Sequence, residues 1–480
     1  MYLSSTARLR LWTCLCLLWF PVAVQAETPF DPAGDWQGTL VVPGAELRLV
    51  FHIERDGDGL SATVDSVDQG ADGIPTESTT FEDGKLKVTL PAIGGTYEGE
   101  LQDDGTFSGT WSQGPAKLPL VLERQTEAIQ LNRPQEPKEP FPYRQEEVRF
   151  KNEAAEISLA GTLTLPEGDG PFPAAVLISG SGPQDRDESL MGHRPFLVLA
   201  DHLTRQGIAV LRYDDRGVAE SEGDFAAATS LDFADDVRAA VSFLEARKDI
   251  ADVGLVGHSE GGLIAPMVAA DTEAVDFIVL LAGPARPGKR IMLDQTGLLF
   301  RGRGTPDARL AEMRSLQSKV FDLVPSSADG KVDEEAMKKG MGDLINLQSG
   351  GALSGEQLAT QVEAQIDTFD SPWFRFFLHH DPAPVLAKVK QPILALTGSK
   401  DFQVPAEDNL GHMEKVLKEA GHQDFETVEM PDLNHLFQTS ETGLLEEYAK
   451  IEETFAPAAL EKISSWISAR VKAPAGAAAK

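Results

Sequence analysis

The sequence Gly-His-Ser-Glu-Gly at 257–261 contains a serine in a setting that could make it a nucleophile. A serine hydroxyl needs a general base to take its proton, and the base needs an acid that orients it. Because the pattern Gly-x-Ser-x-Gly also arises by chance in a glycine-rich chain, its context decides what it means. Here an apolar run at 253–256 precedes the pattern, and a helical pattern begins at 263. This context predicts a nucleophile elbow, a sharp strand-to-helix turn that exposes Ser259 above a sheet.

The neighbours of Ser259 agree with this prediction. Gly257 and Gly261 lack side chains at two positions that such a turn crowds. His258 adjoins the nucleophile but points away from it in an elbow. These three residues are therefore assigned to the elbow and not to proton transfer.

Two backbone amides are predicted to stabilise the negative charge that develops when the serine attacks a carbonyl group. One belongs to Glu260, the residue after the nucleophile, and the other should lie in the loop after the third strand of the sheet. That loop reads Ser-Gly-Ser-Gly at 179–182. Ser181 is the preferred donor and Gly182 is the second choice. The charged run at 185–187 either fixes this loop through ion pairs or is a solvated surface segment.

The acid and the base are predicted at the ends of two later strands. Asp401 follows an apolar run at 393–397, and His435 follows another at 425–430. The order serine, acid, histidine is that of α/β-hydrolases, and open α/β sheets assemble their sites at the carboxyl ends of strands. Two other acids remain as alternatives: Asp381 and Asp432. The other histidines precede the serine or the acid, or belong to a surface helix and its exit: His52, His193, His202, His379, His380, His412 and His422.

The segment 146–472 alternates short apolar runs with helical patterns. Runs without alternating polar residues are buried on both faces, and their alternation with helices indicates a mostly parallel sheet. We therefore predict an α/β-hydrolase fold. More than a hundred residues separate the runs near 280 and 393, far more than a crossover needs, so a helical cap insertion is predicted at about 288–388. The aromatic residues at 373–377 either line an acyl pocket or pack the cap on the sheet.

The segment 27–128 has a different pattern, in which apolar and polar residues alternate and Asp-Gly pairs supply hairpin turns. About seven or eight short strands are predicted, forming a small antiparallel barrel or sandwich. Its aromatic residues are expected in the core or at the rim: Trp36, Tyr97, Phe107 and Trp111. The proline-rich stretch 129–145 predicts an extended linker, and 473–480 a flexible tail.

The first 26 residues, 1–26, have the basic start, apolar centre and small residues of an export signal. The predicted location is periplasmic or extracellular, without a stable membrane anchor after cleavage. Both cysteines, Cys14 and Cys16, lie inside this signal, so the mature chain would contain no disulfide and no cysteine metal site. A formal net charge of −32 argues against a nucleic-acid partner. Zinc-ligand spacing, a P-loop and a dinucleotide fingerprint are absent from the sequence, so no metal and no cofactor are predicted.

Five stretches in order, ISGSGPQDRD, YDDRG, GHSEGG, GSKDFQVP and NHLFQ, resemble the bacterial α/β-hydrolase carboxylesterases of the GHSEGG type. These are related to serine aminopeptidase-like and acylaminoacyl-peptidase-like hydrolases. The resemblance covers roughly 145–470 and implies a triad of Ser259, Asp401 and His435 that acts on small acyl esters. The sequence departs from the family at Ala219, where glycine is frequent.

The sequence thus predicts an exported serine hydrolase that cleaves carboxylic esters with short acyl chains through an acyl-enzyme. Two alternatives remain. One is an amide hydrolase of the aminopeptidase or acylaminoacyl-peptidase type with the same triad, and the other is a non-catalytic ligand-binding protein.

Overall fold

The structure is a computed structural model that describes residues 30–42, 45–57, 59–69, 71–113, 116–126, 131–327, 330, 332–353 and 355–471. The predicted export signal at 1–26 and the predicted tail at 473–480 lie outside the described residues.

The N-terminal part folds into an antiparallel β-barrel. Its strands are β1 (Gly34–Val42), β2 (Ala45–Asp56), β3 (Gly59–Ser66), β4 (Ala71–Pro75), β5 (Ser78–Glu82), β6 (Lys85–Leu90), β7 (Gly95–Leu101), β8 (Phe107–Gln113) and β9 (Ala116–Arg124). Eight of them pair in the order β2-β1-β9-β8-β7-β6-β5-β3, and a further β2–β3 pairing closes the ring. The remaining strand, β4, pairs with β3 outside the ring. The described part of the barrel therefore has one strand more than the upper number that the sequence indicated.

Aromatic side chains fill the barrel. Trp36, Tyr97 and Phe107 are completely buried, and Trp111 is nearly so. The rings of Trp36 and Phe107 meet edge to face with centroids 4.7 Å apart, a favourable arrangement for aromatic pairs. The Tyr97 hydroxyl donates to the carbonyl oxygen of Phe107 at 3.0 Å, so its one polar group is satisfied. These residues are core residues, as the alternating pattern predicted.

On the outside of the barrel, His52 lies between two carboxylates. Its Nδ1 is 2.8 Å from Asp35 Oδ1, and its Nε2 is 2.8 Å from Asp65 Oδ2. Partial burial alone would lower the pKa of His52, but the two carboxylates outweigh burial and raise it. Because the folded-state pKa lies above the unfolded one, the stabilisation is complete below the unfolded pKa and is lost as the pH rises through the folded pKa.

We predict that His52→Gln lowers the thermal unfolding temperature more at pH 5.5 than at pH 9, because only the protonated ring pairs with both carboxylates. The effect should be modest, about 1 kcal/mol or less, since the pair is partly exposed. His412→Gln is the matched control, because burial and then Arg286 lower the pKa of His412. An equal loss at both pH values for His52→Gln would contradict the prediction.

The stretch that joins the barrel to the second domain is docked against that domain. The Arg133 guanidinium donates to the carbonyl oxygens of Gly192, Ala449 and Ile451 at 2.9, 2.6 and 3.0 Å. Gln135 Oε1 accepts the amides of residues 454 and 455 at 2.6 and 2.9 Å. The sequence predicted an extended linker here from its prolines, and proline content gave no sign of the side chains that attach the segment.

The second domain is built on a mostly parallel sheet with the order β10-β11-β13-β12-β14-β15-β16-β17. Its strands are β10 (Arg144–Asn152), β11 (Ile157–Leu165), β12 (Phe172–Ile178), β13 (Ala209–Tyr213), β14 (Ile250–His258), β15 (Phe277–Leu281), β16 (Ile393–Gly398) and β17 (Phe425–Met430). The pairings β10–β11 and β11–β13 are antiparallel, and the pairings from β13 through β12 to β17 are parallel. The parallel majority of the sheet agrees with the sequence patterns.

Helices cover both faces of this sheet and form the insertion between β15 and β16. They are α1 (Pro195–Arg205), α2 (Ser230–Glu245), α3 (Glu260–Ala269), α4 (Gly288–Gly302), α5 (Asp307–Phe321), α6 (Glu334–Ser349), α7 (Gly355–Asp370), α8 (Pro372–His379), α9 (Ala383–Leu386), α10 (Ala406–Glu419), α11 (Leu445–Tyr448) and α12 (Pro457–Ser468). Alternate residues of β14 enter opposite cores. Leu255 joins the core that contains α2 and α3, and Val256 joins the core that contains α1 and α12. In the described part of the chain, we find no helix with the length and apolar character needed to cross a membrane.

Helices α4 to α9 lie between β15 and β16, where the sequence predicted an insertion. They enclose a separate apolar core with Phe321, Met341 and Phe369 among its buried members. The rings of Phe369 and Phe374 stack with centroids 4.3 Å apart. Phe374 is thus a packing residue of this insertion, while its neighbour Trp373 has a further contact described below.

The family departure at Ala219 coincides with a backbone conformation that suits glycine. Ala219 has φ 46°, in the left-handed region, which costs a residue with a Cβ about 1 kcal/mol or more relative to glycine. Ala219→Gly is therefore expected to stabilise the protein by about 0.5–1 kcal/mol, measured as a higher unfolding temperature. Ala226 is also exposed in a nearby turn but is not among the residues with positive φ. Ala226→Gly should consequently destabilise, and a fall in stability for both variants would contradict this account.

Candidate active site

Ser259 occupies the single residue between β14, which ends at His258, and α3, which begins at Glu260. Its backbone angles are φ 51° and ψ −113°, a conformation that a non-glycine residue adopts only when its surroundings enforce it. Its amide donates to the carbonyl oxygen of Leu281, at the end of β15, at 2.8 Å. The sequence prediction of a sharp strand-to-helix turn at this serine agrees with the backbone.

Two glycines permit this turn. A Cβ at Gly257 would lie 2.1 Å from the carbonyl oxygen of Gly261, and a Cβ at Gly261 would lie 2.1 Å from the carbonyl oxygen of Ile178. Both separations are far below van der Waals contact, and the atoms met are backbone atoms that cannot move aside. The first residues of α3 can therefore approach the strand and the neighbouring loop only because these positions lack side chains.

Asp401 and His435 form a buried pair beside this turn. His435 Nδ1 lies 2.8 Å from Asp401 Oδ2, with side-chain exposures of 5% and 0%. Asp401 Oδ1 accepts the amides of Gln403 and Val404, both at 2.8 Å, which fixes the carboxylate in its loop after β16. Because a carboxylate accepts, Nδ1 carries the proton and Nε2 is left with a lone pair that can accept one.

The loop that carries His435 touches the elbow directly. His258 Nε2, on the residue before Ser259, lies 3.0 Å from the carbonyl oxygen of His435, and the two imidazole rings have centroids 4.9 Å apart. Within the described residues, the Ser259 hydroxyl makes no hydrogen bond, including none to His435. Such bonds are often long in active sites without substrate and tighten in the reacting complex.

The loop after β12 lies against Ser259. A Cβ at Gly180 would lie 3.3 Å from the Cβ of Ser259. The Gly180 amide donates to Glu188 Oε1 at 2.7 Å and is not free for a ligand. Among the described residues, nothing accepts a hydrogen bond from the amides of Ser181 and Gly182. The amide of Glu260 is at the first position of α3, where a helix offers no internal partner.

Comparison with known proteins finds similarities to hydrolases. A family profile described as serine aminopeptidase, S33, matches residues 194–325. Esterase EstD of Thermotoga maritima is 30% identical over 284 residues, which are 59% of this chain and 59% of that protein. These matches agree with the fold of the second domain, which is that of an α/β-hydrolase. The chain spans about three-fifths of the length of the curated relative it matches.

Solved structures of esterases are also similar to this α/β-hydrolase. The esterase Pf2001 of Pyrococcus furiosus has 14% identity and a TM-score of 0.40, covering 68% of this chain and 93% of that one. Est1E of Butyrivibrio proteoclasticus with bound ferulic acid has 15% identity and a TM-score of 0.39, covering 67% of this chain and 98% of that one.

The charged run at 185–187 is fixed by ion pairs, which was one of the two expectations from the sequence. Arg186 pairs with Asp214 at 2.7 Å, and Asp187 pairs with Arg212. Asp185 has a different role, because its Oδ1 accepts the amides of residues 187 and 189 at 3.0 Å. These contacts hold the loop against the end of β13, so the run is structural.

The candidate residues that compete with the pair lie elsewhere. Asp381 accepts the amide of Ala383 at 3.1 Å, and Asp432 pairs with Lys400 at 2.9 Å. His193 is buried against Thr454 and the carbonyl oxygen of Tyr448, and burial lowers its pKa to about 4. In the part of the chain that the structure describes, Asp401 alone brings a carboxylate to His435.

Three carboxylates of the site are buried, and nothing in the sequence indicated a role for Glu188 or for the side chain of Glu260. Asp215 accepts from the Ser179 hydroxyl at 2.8 Å and the Gln184 amide at 3.0 Å, and burial raises its pKa to about 8. Glu260 Oε1 accepts from Ser230 at 2.5 Å and from Trp373 Nε1 at 2.8 Å, and burial raises its pKa. The third, Glu188, is considered below. Neither charge nor spacing in the sequence distinguishes them from surface acids.

Across the described residues, no group of three or more His, Asp or Glu side chains is placed to hold a metal ion.

Proposed function

We propose that the protein is a serine hydrolase that cleaves carboxylic esters with short acyl chains. The observation that carries this proposal is the buried Asp401–His435 pair, which the fold brings against the strained turn of Ser259. The name of the Thermotoga relative, an esterase, supports the choice of ester over other acyl substrates.

In the proposed reaction, Ser259 Oγ attacks the ester carbonyl carbon while its proton passes to His435 Nε2. Asp401 holds the ring and stabilises the imidazolium that forms. The tetrahedral intermediate collapses, the carbon–oxygen bond to the alcohol breaks, and His435 returns the proton to the departing alkoxide. Water then repeats the sequence on the acyl-enzyme, releasing the carboxylic acid and restoring Ser259. No cofactor takes part in these steps.

The oxyanion is proposed to bind the amide of Glu260 and the amide of Ser181, with Gly182 as the second choice for the latter. The amide of Glu260 lies at the amino end of α3, where the helix dipole also favours negative charge. Ser181 is preferred because the neighbouring amide of Gly180 already donates to Glu188. Removal of one oxyanion donor costs roughly 100- to 1000-fold in kcat in serine hydrolases.

We predict that Ser259→Ala abolishes hydrolysis of p-nitrophenyl acetate and butyrate, and that Asp401→Asn lowers kcat by roughly 10⁴-fold because the imidazole then takes the wrong tautomer. Both variants should unfold at a temperature close to that of the wild type. Ser465→Ala, an exposed serine on α12, is the control and should hydrolyse normally. Turnover by Ser259→Ala at the wild-type rate would rule out Ser259 as the nucleophile. If a fluorophosphonate probe does not label the folded wild-type protein, a non-catalytic protein is favoured.

Amide hydrolysis is the second candidate, because the profile that matches residues 194–325 is described as a serine aminopeptidase. The same triad would serve, so only substrates distinguish the two. We expect kcat/KM for a p-nitrophenyl ester to exceed kcat/KM for the p-nitroanilide of the same acyl group. The ratio should be larger than the ratio of the rates at which the two compounds hydrolyse without enzyme. A preference for an aminoacyl anilide would favour the peptidase.

We further propose that the protein is exported. The support is the pattern of the first 26 residues, with Arg8 and Arg10 before an apolar stretch and small residues near Ala26. Protein recovered from outside the cytoplasm is predicted to begin at Glu27, as determined by N-terminal sequencing. Replacing both arginines with glutamate should retain the precursor inside the cell, and an unprocessed N-terminus on exported protein would contradict cleavage.

A further inference from the structure

Glu188 is a buried carboxylate that the proposed reaction does not use. Its residue exposure is 2%, and one of its oxygens, Oε2, is buried with no hydrogen-bond partner within the described residues. Its backbone has φ 52°, in the left-handed region that residues with a Cβ avoid. An unsatisfied buried polar atom and a strained backbone both cost stability, and such features concentrate at functional sites.

The other oxygen of Glu188 joins two parts of the site. Oε1 accepts the Gly180 amide at 2.7 Å and lies 2.8 Å from His258 Nδ1. Gly180 belongs to the loop proposed to bind the oxyanion, and His258 immediately precedes Ser259. One carboxylate oxygen therefore sets the distance between this loop and the nucleophile.

His258 extends the connection to the general base. Its Nδ1 faces the Glu188 carboxylate, and its Nε2 faces the carbonyl oxygen of His435 at 3.0 Å. A carboxylate and a carbonyl both accept hydrogen bonds, so both ring nitrogens must donate, and the ring is an imidazolium. The titratable groups that face it are Glu188, His435 and, at longer range, Asp401.

We propose that Glu188, acting through protonated His258, is a positioning residue that holds the loop at 179–182, Ser259 and the main chain of His435 in one arrangement. This inference rests on the proposed function. Charge-assisted hydrogen bonds are shorter and stronger than neutral ones, and here they connect three loops that come from different strands. Catalysis depends on such alignment because a displacement of about 1 Å can cost roughly 100-fold in rate.

The pH dependence follows from the same arrangement. Burial alone would lower the pKa of His258, but Glu188 outweighs burial and raises it. The imidazolium is present below this raised pKa and is lost as the pH rises through it. Removing the carboxylate lowers the pKa of His258, so the alkaline limb of the activity profile should move to lower pH.

The test is Glu188→Gln, which keeps the shape of the side chain and removes its charge. We expect kcat for p-nitrophenyl butyrate to fall roughly 10- to 100-fold with KM changed less than threefold, and the alkaline limb to shift to lower pH. Glu153→Gln is the control, since Glu153 is exposed and, among the residues that the structure describes, forms its ion pair with Lys151. A Glu188→Gln enzyme with kcat within twofold of the wild type and an unshifted pH profile would overturn the proposal.

A second measurement separates this proposal from the proposed function. In protein labelled with ¹⁵N-histidine, the His258 ring should be mostly doubly protonated at pH 6.5, the ordinary pKa of a histidine, and its signal is assigned by its loss in His258→Gln. That signal should become neutral in Glu188→Gln. A neutral His258 in the wild type would overturn the inference even if the protein cleaves esters. If His258 is an imidazolium but the protein cleaves no ester, the ion pair with Glu188 stands and the proposed esterase function is refuted.

Discussion

The backbone of Ser259 is the constraint on which the rest of the site depends. A serine at φ 51° and ψ −113° stores strain of about 1–3 kcal/mol, and the surrounding structure has to maintain it. Three elements do so: β15 accepts the serine amide, the start of α3 presses on the end of β12 at Gly261, and Gly257 leaves the space between them. If any of these contacts were relaxed, the turn could adopt an ordinary conformation and Ser259 would no longer be presented above the sheet.

The sheet provides the rigidity that this strain requires. Strands β12 to β16 are buried on both faces, and their alternate side chains enter two separate cores. Parallel strands end at the same edge, so the loops after β12, β14, β16 and β17 meet there without long connections. The serine, the acid, the histidine and the loop with Ser181 come from these four ends. Burial of apolar side chains on the sheet therefore stabilises the domain, and the polar groups of the site meet at the carboxyl edge of the sheet.

Much of this arrangement could be predicted from the sequence, because the patterns that indicate it lie within short stretches of the chain. Apolar runs without alternation predicted the parallel strands, and the glycines around Ser259 predicted the turn. Asp401 and His435 were found because each follows a strand in the order that the fold requires. The side chains that form ion pairs and hydrogen bonds around the site were not predictable in the same way. Glu188 lies 70 residues from His258, and in the sequence it is one of the many acidic residues in a chain of net charge −32.

The same difficulty applies to the attachment of the linker and to Trp373, where the interacting residues are far apart in the chain. Arg133 reaches the carbonyl oxygen of Ile451 across 318 positions, and no periodicity connects the two. Sequence patterns indicate which face of its own helix or strand a residue occupies, whereas buried hydrogen bonds between loops depend on the tertiary structure. For this reason the described fold agrees with the patterns more closely than the polar contacts around the site do.

The contact between Trp373 and Glu260 gives the helical insertion a direct connection to the turn at Ser259. Trp373 belongs to α8 and donates to the carboxylate of the residue that follows Ser259. Because Glu260 is buried and also accepts from Ser230 on α2, its carboxylate cannot turn to water without losing both partners. The insertion and the elbow are consequently held in one relative position by a buried polar contact. An insertion that moved as a separate lid would have to break this hydrogen bond at the residue whose amide is proposed to bind the oxyanion. The first turn of α8 is therefore better placed to act as a fixed wall of the site than as a part that swings away from it.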